Sequence, residues 1–172
     1  MIPLSSAISG GLFWSKIPHQ SGFQLTSHSE VVGSLQKTNF WATAFRAESV
    51  YGTWKFRRTG CFRTGTEIVD PNSNRQIAVF RPKWSGGGTL AVSDGQGFQI
   101  TCKGFWRPVW TVWAESGQAI LHLHTREKAV ELPRTVQLSE DRLTLLAIFT
   151  WHIMRQAAEE AASTAGLYVA TS

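Results

Sequence analysis

The chain has 172 residues, of which 42% are hydrophobic, 12% aromatic and 17% charged. This composition excludes a disordered chain, which would need far less apolar material, and the length fits a single packed domain. The formal net charge of +5 is carried by interspersed residues, which excludes a basic tail but favours anionic surfaces or polyanions as partners.

Residues 1–30 contain small and polar residues without a clear period, so we expect an N-terminal arm or an irregular first strand there. The same segment lacks the positive charges and the unbroken apolar core of a secretory signal. We therefore expect a cytoplasmic protein. Cys61 and Cys102 lie in strand-like segments far from any zinc-ligand spacing, which predicts buried free thiols.

From Val31 onward, short strands alternate with turn residues, a spacing typical of an all-β barrel or sandwich. The connections at 70–74, 94–95 and 115–117 contain the Pro, Asn, Asp and Gly residues that tight turns require. This part of the chain, 31–162, is predicted to form one domain. The predicted strands cover 40–48, 50–58, 67–69, 76–80, 89–92, 98–102, 109–113, 119–124 and 135–138.

A long apolar stretch, Leu143–Met154, lies near the C-terminus and is apolar on nearly every helical face. A helix of this kind must be surrounded by other elements, and the preceding hairpins are the available wall. Twelve residues reach only about 18 Å, well short of a hydrocarbon core of about 30 Å. The sequence thus predicts a mainly β, closed antiparallel barrel around a hydrophobic helix at about 139–160, followed by a tail at 163–172.

A set of strand and turn motifs precedes that helix: Gly52–Arg58, Asp70–Asn74 followed by Ile77–Phe80, Trp84–Leu90, Asp94–Gly95 and Trp110–Trp113. In these motifs and in the apolar helix, residues 31 to 160 resemble the tubby-like C-terminal superfamily, and the match is to its small bacterial members. The superfamily includes tubby proteins, LURP-one-related plant proteins and phospholipid scramblases. The resemblance implies a closed antiparallel barrel of about twelve strands threaded by the helix.

Two activities known in the superfamily are also relevant to this chain. Tubby proteins bind phosphoinositides through a basic surface site, but no residue of that site is carried over to this sequence. The chain has neither a cysteine-rich palmitoylation stretch nor an acidic calcium-binding segment of the scramblase type. The resemblance therefore favours a fold more strongly than it favours an activity.

The densest basic group lies on two predicted strands and their connections. Lys55 and Arg57 alternate with Trp54 and Phe56, so the two cations must point away from the apolar face. Cations on neighbouring strands could converge on a phosphate, whereas the alternative is a solvated barrel exterior. Arg63 lies close by, and the predicted anion- or lipid-binding residues are Lys55, Arg57, Arg58, Arg81 and Lys83.

Three histidines also stand out. His122 and His124 share one face of a strand and could hold a metal with a third ligand, but no carboxylate or cysteine pattern accompanies them, so no metal is expected. His152 lies inside the apolar helix, where a core histidine with a hydrogen-bond partner is the leading interpretation and a general base is the alternative.

Four tryptophans are interleaved with cations, as in proteins that bind single-stranded nucleic acid. Two of them, Trp110 and Trp113, fall on opposite faces of one strand, so at least one is predicted to be core, and no nucleic-acid-binding signature is present. Nucleic acid is therefore not an expected partner. The residues concerned are Trp84, Trp106, Trp110 and Trp113 with Lys83, Lys103 and Arg107.

Taken together, these patterns predict a non-enzymatic binding module that recognises an anionic membrane lipid or a phosphorylated ligand through its basic exterior. Such a protein would be cytoplasmic or peripheral at the membrane and would need no cofactor. The alternative is a structural or protein-interaction domain, because nothing in the sequence specifies a catalytic centre.

Overall fold

The computed structural model describes residues 1–7, 10–38, 44–59, 65–83, 86–133 and 137–170, with side chains of the last segment described as far as residue 163. Twelve antiparallel strands form one closed barrel around a C-terminal helix, which confirms the predicted fold class. Each strand pairs with the next in sequence, and β1 closes the ring by pairing with β12.

The strand bounds follow the turn residues of the chain. They are β1 (Leu12–Lys16), β2 (Gly22–Ser27), β3 (Glu30–Lys37), β4 (Ala44–Ser49), β5 (Gly52–Thr59), β6 (Gly65–Val69), β7 (Gln76–Pro82), β8 (Gly88–Val92), β9 (Gly97–Lys103), β10 (Val109–Ala114), β11 (Ala119–His124) and β12 (Ala129–Glu131). A short helix α1 (Leu4–Ala7) precedes them and α2 (Glu140–Ala170) follows them.

Residues 12–27 form two strands of the barrel, so the barrel begins about twenty residues earlier than the pattern from Val31 onward indicated. In β1, Leu12 and Trp14 are buried and Phe13 between them is exposed, which is the alternation of a half-buried strand over too few residues to stand out. In β2, Leu25 is the one buried large apolar residue and Phe23 is only half-buried, so this strand also offers little hydrophobic alternation.

The last strand is β12, which lies between the predicted strands at 119–124 and 135–138. It has three residues, of which only Val130 is buried, so it offers no periodicity to detect. The strand predicted at 135–138 is not observed at Gln137 and Leu138, and its first part lies outside the described residues. The predicted strand at 40–48 likewise begins outside them and continues as β4.

The helix α2 runs through the barrel and supplies the centre of the core. Its residues from Leu143 to Met154 are all buried, and the ring of Phe149 lies 5.3 Å from Phe56 and 5.5 Å from Phe80, centroid to centroid. The hydroxyl of Thr150 donates to the carbonyl of Leu146, which satisfies a polar group that would otherwise be costly to bury.

The wall of the barrel approaches the helix closely at Gly33 of β3. A Cβ atom at this position would lie 2.8 Å from Cδ1 of Ile148, so only glycine allows this contact without displacement. The helix also extends further than predicted, since its backbone remains helical to Ala170 through most of the expected tail.

The two ends of the barrel differ, and we name them here. At the closed end, where α2 begins, α1 covers the core with Leu4 and Ala7 fully buried. At the mouth, α2 leaves the barrel between His152 and Glu160. Strands β1, β3, β5, β7, β9 and β11 run toward the mouth, and the strands between them run back.

Candidate functional site: a basic cavity at the mouth

A cavity of about 260 Å³ lies at the mouth, between α2 and the wall formed by β1 to β5. Four cationic side chains line it: Lys16 from β1, Lys37 from β3, Arg58 from β5 and Arg155 from α2. A cavity is the usual form of a small-ligand site, and this one gathers cations from four separate elements.

The three strand cations occupy equivalent positions. On β1, β3 and β5, each cation is the next inward-facing position after the last buried apolar residue, because side chains two apart share a face of the sheet. The pairs are Trp14 with Lys16, Leu35 with Lys37, and Phe56 with Arg58. The apolar core therefore ends in a layer of positive charge on this side of the mouth.

This layer is only partly neutralised by carboxylates of the helix. Glu160 accepts a hydrogen bond from Arg58 at 2.5 Å, and Glu159 lies 3.5 Å from Nη2 of Arg155. The Nζ atom of Lys37 is 4.0 Å from the same Glu159 carboxylate. Lys16 has no ion pair within the described part of the chain. Four cations and two carboxylates leave a net charge of +2 at the cavity.

Aromatic rings hold two of these cations beside the cavity. The guanidinium of Arg155 lies 5.3 Å from the ring centroid of Phe23, and the ammonium of Lys37 lies 5.9 Å from that of Phe45. Both rings also line the cavity. Cation–π contacts of this kind orient a charge without neutralising it. The cavity thus combines positive charge with an apolar wall.

His152 forms part of the cavity lining and packs among aromatic rings, with the Phe45 centroid 4.6 Å away. Burial, reinforced by the charge of Arg58, lowers the pKa of His152 to about 3. The ring is therefore neutral at physiological pH and adds no charge. A base this weak is also poorly suited to general base catalysis near neutral pH, since an effective catalytic pKa lies close to the working pH.

Two further atoms of the lining residues are buried without a hydrogen-bond partner in the described structure, Nε of Arg155 and Oε1 of Gln156. Buried polar atoms are normally paired, so these atoms carry unused hydrogen-bonding capacity. Both belong to α2 where it leaves the barrel, beside the cavity. The arrangement is that of a site whose polar groups are not all satisfied by the protein itself.

The other predicted anion-binding cations do not join this site. Lys55 and Arg57 lie on the outer face of β5, and Nη2 of Arg57 donates to Glu67 at 2.7 Å. Arg58, which we placed on the basic exterior, instead faces inward. Arg81 and Lys83 are exposed on β7 and just beyond it, and Arg63 lies outside the described residues.

The register also separates the exterior cations. Lys55 pairs with Val69, whereas Arg81 is level with Gly65 on the same intervening strand, β6. A difference of four residues along a strand is about 13 Å, to which two strand spacings of about 4.8 Å are added. The two offsets are perpendicular, so the backbones of Lys55 and Arg81 lie about 16 Å apart and the two residues are not direct neighbours on the wall.

Sequence reasoning missed Lys16, Lys37 and Arg155. A signal existed, namely a cation two residues after an inward apolar residue at the end of a strand, but it has meaning only once the strand directions are known. Arg155 follows Trp151 by one helical turn, which is the same relation on α2.

The histidine pair of β11 has partners within the protein. His122 Nδ1 shares a hydrogen bond of 3.0 Å with Thr111 Oγ1, and His124 Nε2 lies 3.2 Å from Glu131. Within the described ranges, no group of three or more His, Cys, Asp or Glu residues could hold a metal ion. Cys102 is a half-buried free thiol whose pKa is raised by burial, and Cys61 lies outside those ranges.

The tryptophans divide between core and surface. Trp110 is buried, as expected for at least one of the pair, and half-buried Trp113 donates from Nε1 to Thr101 at 2.9 Å. Trp106 is 88% exposed, and Trp84 lies outside the described residues.

The fold and the site define a closed antiparallel β-barrel around a helix, with a basic cavity at one end. Comparison with family models, curated proteins and solved structures finds no match to this chain. In the part of the chain that the structure describes, no helix has both the length and the apolarity needed to cross a membrane.

Proposed function

We propose that this chain is a non-enzymatic binding module whose mouth cavity takes the phosphate group of an amphiphilic ligand. The observation that carries the proposal is the layer of inward-facing cations, Lys16, Lys37 and Arg58, joined by Arg155. A phosphate monoester carries about −1.5 to −2 charges at neutral pH, which complements the net charge of +2. Arg and Lys donors bind such an anion through charge-assisted hydrogen bonds.

The apolar wall and the size of the cavity limit which phosphorylated ligands would fit. Phe23 and Phe45 can contact an apolar substituent next to the phosphate. The barrel interior beyond them is filled by α2, so a long chain has no room inside. The cavity thus suits a phosphorylated headgroup or a small phosphorylated molecule, and any acyl chains of a lipid would remain outside.

This proposal keeps the predicted class of ligand but moves the site from the barrel exterior to its mouth. Membership of the tubby-like superfamily stays a prediction, which the twelve-stranded barrel around a helix accommodates. A structural or protein-interaction domain is the alternative that a failure of phosphate binding would favour.

The test is calorimetric titration of the protein at low salt with inorganic phosphate and with hexyl phosphate. We expect hexyl phosphate to bind more tightly, because it adds contact with the aromatic wall. Lys16→Gln should weaken that binding about tenfold, the value of one charge-assisted hydrogen bond. Lys16 is a suitable position because it forms no ion pair within the described residues, so its substitution leaves no carboxylate unpaired there.

Lys55→Gln is the matched control, since Lys55 lies on the outer wall and should bind neither probe. Vesicles containing phosphatidic acid distinguish the sources of the phosphate: competition with hexyl phosphate would identify a lipid headgroup, and its absence a free molecule. The proposal fails if no saturable binding occurs or if both lysine variants lose affinity equally.

A further inference from the structure

Two large apolar side chains project from the loop between β9 and β10. Phe105 is 89% exposed and Trp106 is 88% exposed, far more than the next large hydrophobic residue in the described structure, Met1, at 52%. Their rings contact each other edge to face, with centroids 5.3 Å apart. Scattered apolar residues on a surface are ordinary, but two adjacent aromatic rings projecting almost wholly into solvent mark an interaction site.

The backbone at the base of this loop has a defined geometry. Gly104 has a φ of 91°, and a Cβ atom there would lie 2.8 Å from the carbonyl oxygen of Arg107. The amide of Thr125 in the next loop donates to the carbonyl of Pro108 at 3.2 Å. The turn therefore requires glycine, and the hydrogen bond at Pro108 joins the end of this loop to its neighbour.

The loop lies at the mouth, because β9 runs toward that end of the barrel. It stands six strands away from β3 and β4, and therefore on the opposite side of the rim from the cavity. The aromatic tip and the cavity face the same direction. They are nevertheless separate sites that share no residue.

Exposed cations surround the aromatic tip on this loop and its two neighbours, with Glu127 as the one carboxylate among the described residues of these loops. None of the cations forms an ion pair in the described part of the structure. Their charge is therefore available to an external partner. They are Lys83, Lys103, Arg107, Arg126 and Lys128.

We infer that this loop docks the mouth of the barrel onto an anionic bilayer, with Phe105 and Trp106 inserted at the level of the lipid headgroups. Trp is enriched at the membrane–water interface, where its apolar ring can enter while its N–H stays hydrated, and Phe105 adds apolar area beside it. The surrounding cations face the negative surface of such a membrane, whose field falls off within a Debye length.

The geometry favours a membrane over other anionic partners. Two side chains bury far less area than a stable protein interface needs, which is about 800 Å² for each partner. Single-stranded nucleic acid requires successive stacking platforms, but these two rings lie at 88° to each other and Trp110 is buried. An apolar tip surrounded by cations instead matches a flat surface that is apolar inside and anionic outside.

The test is co-sedimentation of the full chain with vesicles of phosphatidylcholine containing about one third phosphatidylserine, over a salt series. We expect binding that weakens as salt rises. The double variant Phe105→Ser/Trp106→Ser should bind at least about tenfold more weakly, because the apolar contacts are lost. Lys103→Gln/Arg107→Gln should bind about thirtyfold more weakly and lose part of the salt dependence.

Phe13→Ser is the matched control, since Phe13 is also an exposed phenylalanine but lies on the outer face of β1. All three variants change exposed side chains, so their melting temperatures should equal that of the wild type. The inference is independent of the phosphate proposal, because Phe105 and Trp106 share no residue with the cavity and the vesicles test a different surface.

Vesicle binding by the aromatic double variant equal to that of the wild type would overturn the inference, as would absence of wild-type binding at low salt. Binding of an oligonucleotide that depends on Trp106, without vesicle binding, would assign the loop to nucleic acid instead.

Discussion

The closed end and the mouth of the barrel use similar polar residues in different ways. At the closed end, charged groups are paired with protein groups: Tyr51 and the amide of Ser5 both donate to the Glu140 carboxylate, and Arg142 binds Asp94 at 2.7 Å. At the mouth, Lys16 has no described ion pair and Lys37 has only a long one. The closed end is thus held by internal contacts, whereas part of the charge at the mouth has no close partner among the described residues.

The pKa shifts follow the same division. At the closed end, the hydrogen bond from Tyr51 lowers the pKa of Glu140, and burial together with that hydrogen bond raises the pKa of Tyr51. The amide of Gln96 and the guanidinium of Arg142 lower the pKa of Asp94. Each shift stabilises a protonation state that suits the internal contact. At the mouth, the shifted group is His152, which is held neutral beneath the cations.

The largest effect on stability is expected from a substitution in the core, which connects the two ends of the barrel. Phe149→Asp would place an unpaired carboxyl group between Phe56 and Phe80 and should unfold the protein, because the lost ring contacts and the buried polar group together cost an amount comparable with a typical stability of about 5–15 kcal/mol. Loss of near-ultraviolet circular dichroism would report this. Ala158→Asp, on the exposed part of the same helix, is the control and should remain folded. A folded Phe149→Asp protein would contradict the central position of α2.

The pH dependence of stability should come in part from the mouth. The pKa of His152 is about 3 in the folded protein and about 6.5 when unfolded, so below pH 6.5 the unfolded chain takes up a proton that the folded chain excludes. This contribution to stability is complete above pH 6.5 and is lost as the pH falls toward 3. The free energy of unfolding should therefore decrease by about 2 kcal/mol between pH 7 and pH 5.

Urea denaturation of wild type and His152→Gln at both pH values measures this contribution. The variant cannot take up the proton, so its stability should fall by about 2 kcal/mol less over the same interval. Equal losses in the two proteins would show that His152 does not titrate as its burial implies.

The smallest expected changes in stability come from single substitutions that compare the two ends directly. Tyr51→Phe removes the hydrogen bond to Glu140 at the closed end and should lower the free energy of unfolding by about 1 kcal/mol. The control at the mouth is Lys16→Gln, which should change stability by less than about 0.5 kcal/mol because Lys16 is an exposed cation. Thermal denaturation of both variants checks the comparison. If Lys16→Gln were the more destabilising change, the mouth would be a structural element.

Much of the barrel could be predicted because the responsible signals are local. The alternation of Trp54 and Phe56 with Lys55 and Arg57 predicts a half-buried strand, and the structure buries those two aromatic residues. We missed β2, whose one buried large apolar residue is Leu25, and the three-residue β12, because neither strand offers a hydrophobic period to detect.

The candidate site was harder to predict because its parts are distant in the sequence. Sequence reasoning grouped Arg58 with Lys55 and Arg57, which are its neighbours along the chain. The structure separates them, since Arg57 pairs with Glu67 on the outer wall whereas Arg58 faces the cavity and binds Glu160. The alternation along β5 already predicts that Arg57 and Arg58 point to opposite faces of the sheet. The other cations of the cavity, however, come from β1, β3 and α2, which lie far from Arg58 in the sequence.

The sequence by itself determined the class of fold, because strand periodicity and an all-apolar helix are properties of contiguous residues. It also determined the mild positive charge. Only the tertiary structure decided where that charge acts, since closure of β1 onto β12 and the passage of α2 through the barrel bring Lys16, Lys37, Arg58 and Arg155 around one cavity. The physical reason is that a binding site depends on distances in space, and those are set by strand register and packing.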